Sequence, residues 1–99
     1  MTGPPSVSVL LVTKNGERYL AELLECVQRQ QGRFHLQEII AVDSGSRDRT
    51  LSILRQFGVR IVQIPPETFG HGRTRNLAAS HAEAEYLVFL TQDATPART

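Results

Sequence analysis

Four short apolar runs alternate with three segments of helical periodicity, and that alternation constrains the fold more than any other feature. The runs are Val7 to Val12, Glu38 to Val42, Val59 to Ile64 and Tyr86 to Leu90. Between them, Leu20, Leu23, Leu24 and Val27 recur at helical spacing, as do Leu51, Leu54 and Phe57, and then Leu77, Ala78, His81 and Ala82. Gly32 and Gly58 stand where the first two helices should stop, Ser46 is a candidate N-cap with Asp48 in the first turn behind it, and Pro65-Pro66 closes the third strand. A βαβαβαβ order implies parallel strands, right-handed crossovers and helices on both faces. The expected class is α/β, a Rossmann-like three-layer α/β/α arrangement with a mostly parallel sheet. The segments Thr2 to Pro5 and Ala94 to Thr99 read as tails.

Buried parallel strands deliver their ligand-handling side chains at their carboxyl ends. Two runs stop there at an acid, Asp43 and Asp93, and the first run ends in Thr13-Lys14-Asn15-Gly16. Two carboxylates on one rim suit a cation-bearing or hydrogen-bond-donating ligand. Asp43 could accept from a base imide or a ribose hydroxyl, or it could cap the turn into the second helix. Asp93 could hold Mg²⁺ or Mn²⁺, which favour oxygen ligands, or serve turn chemistry. Phe69-Gly70-His71-Gly72-Arg73-Thr74-Arg75-Asn76 bears glycine and two arginines and leads into a helix. It could approach a phosphate closely, or be a solvated loop with Arg75 and Asn76 capping the helix. The residues alone leave these alternatives open.

Size and charge exclude several classes. Ninety-nine residues make one domain at most, and a net charge of +1 argues against a dedicated nucleic-acid surface. The single Cys26 offers no internal disulfide, and His35, His71 and His81 show no metal-ligand spacing. No apolar stretch approaches the roughly 20 residues that span a bilayer, and Met1 to Pro5 does not read as a signal peptide. The expectation is a cytoplasmic chain, with a peripheral place at the inner face of the membrane left open. No Walker loop, Gly-x-Ser-x-Gly elbow or dinucleotide fingerprint is present.

Four segments, VSVLLVTKNG, EIIAVDSGSRDRT, GHGRTRN and EYLVFLTQDA, cover nearly the whole chain in one order. Together they resemble the amino-terminal half of a family 2 glycosyltransferase of the GT-A fold, and the last two most resemble its bacterial rhamnosyltransferase-like branch. The resemblance implies that residues 1–99 are the nucleotide-sugar-binding half of a GT-A domain that continues beyond Thr99. Thr13 and Asn15 would line the nucleotide pocket, Asp43 would contact base or ribose, and Arg75 would lie near the pyrophosphate or help order the loop before the last strand. Gln92 and Asp93 would complete the substrate-binding set. Asp93, as the last position of the family's Asp-x-Asp motif, would bind a divalent cation (Mg²⁺ or Mn²⁺) bridging the diphosphate.

The sequence departs from the pattern twice. Ser44 follows Asp43 where the family often carries a second acid, and Thr91 replaces the first acid of the metal motif, leaving one direct carboxylate ligand. The family inverts the anomeric centre by direct displacement, with the catalytic base well downstream of the metal motif. The implied chain therefore binds a nucleotide-diphosphate sugar donor for transfer of a hexose to a glycan or lipid-linked acceptor, with no nucleic-acid partner. By itself it is expected to bind donor without turnover. An apolar sheet edge is expected to promote self-association. Two rival readings stand beside this one. One is a receiver-like signalling module phosphorylated on Asp43, which lacks the acids such sites need after the first strand. The other is an interaction module whose rim residues are only caps and turns.

Overall fold

The computed structural model describes residues 5–29 and 35–91. Four strands, β1 (Ser6–Thr13), β2 (His35–Asp43), β3 (Arg60–Gln63) and β4 (Tyr86–Thr91), form one sheet in the order β3-β2-β1-β4. Every neighbouring pair is parallel. Helices α1 (Glu17–Arg29), α2 (Thr50–Gln56) and α3 (His71–Ser80) occupy the connections. The expected α/β architecture is the one observed.

The two-residue period of the strands divides the core into two layers. Val7, Val9 and Leu11 of β1 and Ile39 and Ala41 of β2 pack with Leu20, Leu23, Leu24 and Val27 of α1 and Leu54 of α2. The alternate residues Leu10, Ile40 and Val42 face the other way and pack with Ala78 of α3. This is why both central strands read as continuous apolar runs. The connections from β1 to β2 and from β2 to β3 thus use one face, and the connection from β3 to β4 crosses the other. The winding direction reverses between β1 and β4, so the fold's crevice opens at the carboxyl ends of those two strands.

At the opposite end of the sheet, polar contacts fix β4 beside β1. The Ser8 hydroxyl donates to the Glu38 carboxylate (2.7 Å), which also accepts from the Glu83 N–H (2.7 Å). The Ser6 hydroxyl accepts from the Glu85 N–H (2.9 Å). Glu83 and Glu85, though exposed, lie in a turn held beneath the two central strands.

Several element boundaries differ from the sequence expectation. Helix α2 starts at Thr50, and Ser46 caps nothing in it; its hydroxyl is used elsewhere, as described below. Strand β3 is shorter than Val59 to Ile64 because the Val59 N–H bonds back to Leu54 O at the end of α2. Gly58 (φ +72°) ends α2 as expected. The helix that the Phe69–Asn76 segment is expected to lead into already begins at His71: Thr74 N–H donates to Gly70 O (2.7 Å), and the Thr74 hydroxyl accepts from the Gly70 N–H. Gly32, Gln92 and Asp93 lie outside the described residues.

Candidate functional site

The loops after β1 and β2 are built as one unit. Register places Thr13 beside Asp43, so the ends of the two central strands coincide. The Asp43 side chain is 1% exposed and accepts four hydrogen bonds. Oδ1 takes the hydroxyls of Thr13 (2.7 Å) and Ser46 (2.5 Å); Oδ2 takes the backbone N–H groups of Gly45 (3.1 Å) and Ser46 (2.8 Å). Gly45 makes this tight return with φ +106°, a conformation that favours glycine. A Cβ on Gly45 would also stand 2.7 Å from Pro66 Cγ, so the loop after β3 abuts the same rim.

The start of α1 is capped by side chains from the neighbouring loop. Helices leave their first N–H groups unpaired. Here the N–H of Asn15 donates to the Ser46 hydroxyl, that of Gly16 to the Thr50 hydroxyl, and that of Glu17 to the Asp48 carboxylate. The exchange is reciprocal: Arg47 N–H donates to Asn15 Oδ1 and Arg49 N–H to Glu17 Oε1. Asn15 holds φ +50° to make this crossing. Asp48 also accepts from the Thr50 N–H and hydroxyl. Partial burial acts to raise the Asp48 pKa, but the hydrogen bonds from Thr50 and the Glu17 N–H outweigh it and hold the group below 3.8.

Of the residues expected to meet a ligand, Thr13, Asn15 and Asp43 do converge on one rim, and their side-chain oxygens are engaged in building it. Such an Asp43 offers no exposed nucleophile. Arg75 lies on α3, the helix that crosses the sheet between β3 and β4. Its guanidinium sits over the ring of Phe89 on β4, with Cζ 4.5 Å from the ring centroid, in place of the capping role read as its alternative. Gln92 and Asp93 fall outside the described residues. Sequence reasoning missed Gly45, Ser46 and Thr50 as site-shaping residues. The signal was the hydroxyl- and acid-rich run Ser44-Gly45-Ser46-Arg47-Asp48-Arg49-Thr50, which was assigned to capping its own helix. Among the described residues no group of three or more His, Cys, Asp or Glu could hold a metal ion. Of the described rim carboxylates, Asp43 and Asp48 are already filled by donors and do not fit a cation, and Glu17 accepts from the Arg49 N–H. Among the described residues, too, no helix is long and apolar enough to cross a membrane.

Comparisons with known proteins agree with this architecture. The family model described as glycosyl transferase family 2 matches residues 8–99. The poly(ribitol-phosphate) beta-N-acetylglucosaminyltransferase TarS of Staphylococcus aureus is 32% identical over 90 residues, which cover 87% of this chain and 16% of TarS. The O-antigen chain rhamnosyltransferase WbaN of Salmonella anatum is 38% identical over 92 residues, 91% of this chain and 29% of WbaN. The chain therefore spans less than a third of the length of these relatives. The crystal structure of S. aureus TarS 1-349 superimposes with a TM-score of 0.76 at 32% identity, covering 89% of this chain and 27% of that one. Glucosyl-3-phosphoglycerate synthase from Mycobacterium tuberculosis, in complex with Mn²⁺, UDP and glucosyl-3-phosphoglycerate, superimposes at 0.68 and 27% identity, covering 90% of this chain and 34% of that one. These neighbours are GT-A glycosyltransferases. With the motif order, the switch-point crevice and the family match in agreement, the chain belongs to glycosyl transferase family 2.

Proposed function

We propose that residues 1–99 are the donor-binding half of an inverting glycosyltransferase that takes a hexose from a nucleotide-diphosphate sugar. The acceptor is a cell-envelope or polysaccharide glycan, free or lipid-linked. The observation that carries the reading is the crevice between β1 and β4, with the interlocked loop at Thr13 and Asp43 on one side and Arg75 stacked on Phe89 of β4 on the other, just below its mouth. The fold's ligand end, a fixed guanidinium and backbone loops held in place suit a nucleoside diphosphate. TarS has been crystallised with UDP and with UDP-GlcNAc, and the mycobacterial synthase with UDP and Mn²⁺. The rhamnosyltransferases WbaN and RfbN act on O-antigen chains, which supports a polysaccharide acceptor.

In this proposal Asp43 acts on the nucleotide by fixing the loops around Thr13, Asn15 and Ser46, at the place where base and ribose would lie. Arg75 neutralises diphosphate charge. As the resemblance to the family's Asp-x-Asp motif implies, a divalent cation, Mg²⁺ or Mn²⁺, is assigned to Asp93, with Gln92 in the substrate-binding set. Such a cation would supply charge neutralisation to the departing diphosphate. The attacking acceptor hydroxyl needs a carboxylate to take its proton. As the resemblance implies, that base is assigned to sequence well downstream of the metal motif, beyond Thr99. The same reading puts the chain in the cytoplasm, at the inner face of the membrane when its acceptor is lipid-linked.

Thermal unfolding with UDP- and dTDP-sugars, with and without Mn²⁺, tests the proposal. A ligand at ten times its Kd stabilises by about 1.4 kcal/mol, which is roughly 6–11 °C in a domain of this size. Asp93→Ala should remove the part of the shift that depends on Mn²⁺. A folded chain whose melting temperature no nucleotide moves would refute the reading.

A further inference from the structure

The geometry points to Phe89 as a positioning residue: its ring holds the Arg75 guanidinium at the crevice in a form still able to grip a diphosphate. The inference rests on the proposed donor-binding function and adds a residue that none of the family motifs marks for a role.

Phe89 occupies the edge strand opposite Leu10 of β1 and is 36% exposed on the α3 side of the sheet. A large aromatic left open at a sheet edge calls for a partner, and the described structure supplies the Arg75 guanidinium 4.5 Å away, inside the range of cation–π attraction. The strand pair concerned is the one that flanks the switch point. Phe89 lies two residues before Thr91, roughly 6–7 Å from the carboxyl end of the strand at about 3.3 Å per residue. The stack is thus just below the mouth of the crevice.

The identity of the partner matters. An arginine held by a carboxylate spends its in-plane N–H donors and its charge on that partner. One held on a ring is gripped through its face, which leaves the five N–H donors at its edge unspent by the stack and the charge intact. The arginine also arrives with fewer rotamers left to lose on binding an anion. The ring therefore pre-orients a phosphate-binding group without competing for it.

Isothermal titration with UDP and, separately, with uridine tests this on the parent chain, Phe89→Leu, Phe89→Met, Phe89→Tyr, Arg75→Gln and the double variant Phe89→Leu/Arg75→Gln. The expected result is a loss of about two- to five-fold in UDP affinity for both aliphatic variants, the size of an exposed cation–π contact. Uridine affinity should be unchanged, Phe89→Tyr should keep UDP affinity, and Phe89→Leu should cost nothing further once Arg75 is Gln. A ring that serves only to support the fold would weaken UDP and uridine alike and would add to Arg75→Gln; either outcome overturns the inference. So does parent-like UDP affinity in both aliphatic variants when Arg75→Gln has lost it, and that result leaves the donor-binding function standing. A parent chain that binds no UDP overturns the function itself and the inference with it.

Discussion

Removing the Asp43 carboxylate should destabilise the chain before it affects any ligand. Four donors converge on its two oxygens, and the side chain is 1% exposed. Hydrogen bonds to a charged group contribute roughly 1.5–3 kcal/mol each, while a buried donor left unpaired costs about 1–3 kcal/mol. In Asp43→Ala, water can reach the loop N–H groups of Gly45 and Ser46, because those two residues are part-exposed. It cannot easily reach the Thr13 hydroxyl, which is fully buried. Counting the two backbone bonds as largely recovered leaves the two hydroxyl bonds, about 3–6 kcal/mol, against a total stability of roughly 5–15 kcal/mol for a domain of this size.

Asp43→Asn should behave differently, because the partners are not alike. The N–H groups on the Oδ2 side can only donate, but the Thr13 and Ser46 hydroxyls on the Oδ1 side can donate or accept. An asparagine that turns its carbonyl toward Gly45 and Ser46 N–H and its amide toward the two hydroxyls keeps four contacts, but it loses the charge and leaves the buried Thr13 hydroxyl proton without its acceptor. The cost should be about 1–3 kcal/mol, below that of alanine, which loses all four contacts. Urea unfolding followed by circular dichroism measures both variants through their midpoints at unchanged slope. An alanine variant within about 1 kcal/mol of the parent, or an asparagine variant as damaged as alanine, would refute the account. An Asp43 that acted only by touching ligand would leave both midpoints in place and abolish the response to UDP.

Three other consequences can be measured directly. Gly45→Ala combines φ +106° with a Cβ 2.7 Å from Pro66 Cγ, so it should lose about 1–3 kcal/mol in urea titration; Pro66→Ala should recover the contact part and leave the backbone part. Asp48 has its pKa lowered from 3.8 in the fold, so its contribution is complete above that value and fades as pH falls through the lower folded value. The midpoint difference between parent and Asp48→Asn should therefore be present at pH 6 and shrink toward pH 2, and a gap that stays constant would contradict the assignment. Strand β4 exposes Tyr86, Leu87, Val88 and Phe89 and carries no charged residue to blunt its edge. Sedimentation should show concentration-dependent self-association that Val88→Lys reduces, and a monomer at high concentration would count against it.

The sequence made the layer structure legible because each central strand buries both faces. Ile39-Ile40-Ala41-Val42 can be satisfied only inside a sheet covered on both sides, and the periodicity of Leu20, Leu23, Leu24 and Val27 supplies one of the covers. The rim was legible as a place, since Thr13 and Asp43 end their strands together. What the rim residues do was not legible. Ser46 and Thr50 look like caps for the helix that follows them, and only strand register brings them against the N–H groups of Asn15 and Gly16, more than thirty residues away in sequence. The helical start of α3 was hidden for a related reason. Gly70 and Gly72 argue for a loop on local propensity, whereas the Thr74 hydroxyl and the packing of Ala78 favour the helix.

Interlocking the first two rim loops has a consequence for how a ligand can be recognised. Loops that order only on binding subtract their ordering cost from affinity. Here that cost is already met within the fold, because the side chains of Asn15, Ser46, Asp48 and Thr50 hold the backbone N–H groups of Arg47, Asn15, Glu17 and Gly16. The same economy limits what those side chains can offer, since an oxygen committed to a loop amide is not available to a base or a sugar. Recognition at the β1–β2 side must therefore come from shape and from whatever donors and acceptors remain at the loop surface. In the proposed function, charge recognition falls to the α3–β4 side, where Arg75 rests on an aromatic ring. A nucleoside diphosphate divides in the same way, into a flat, nearly neutral base and a strongly anionic tail.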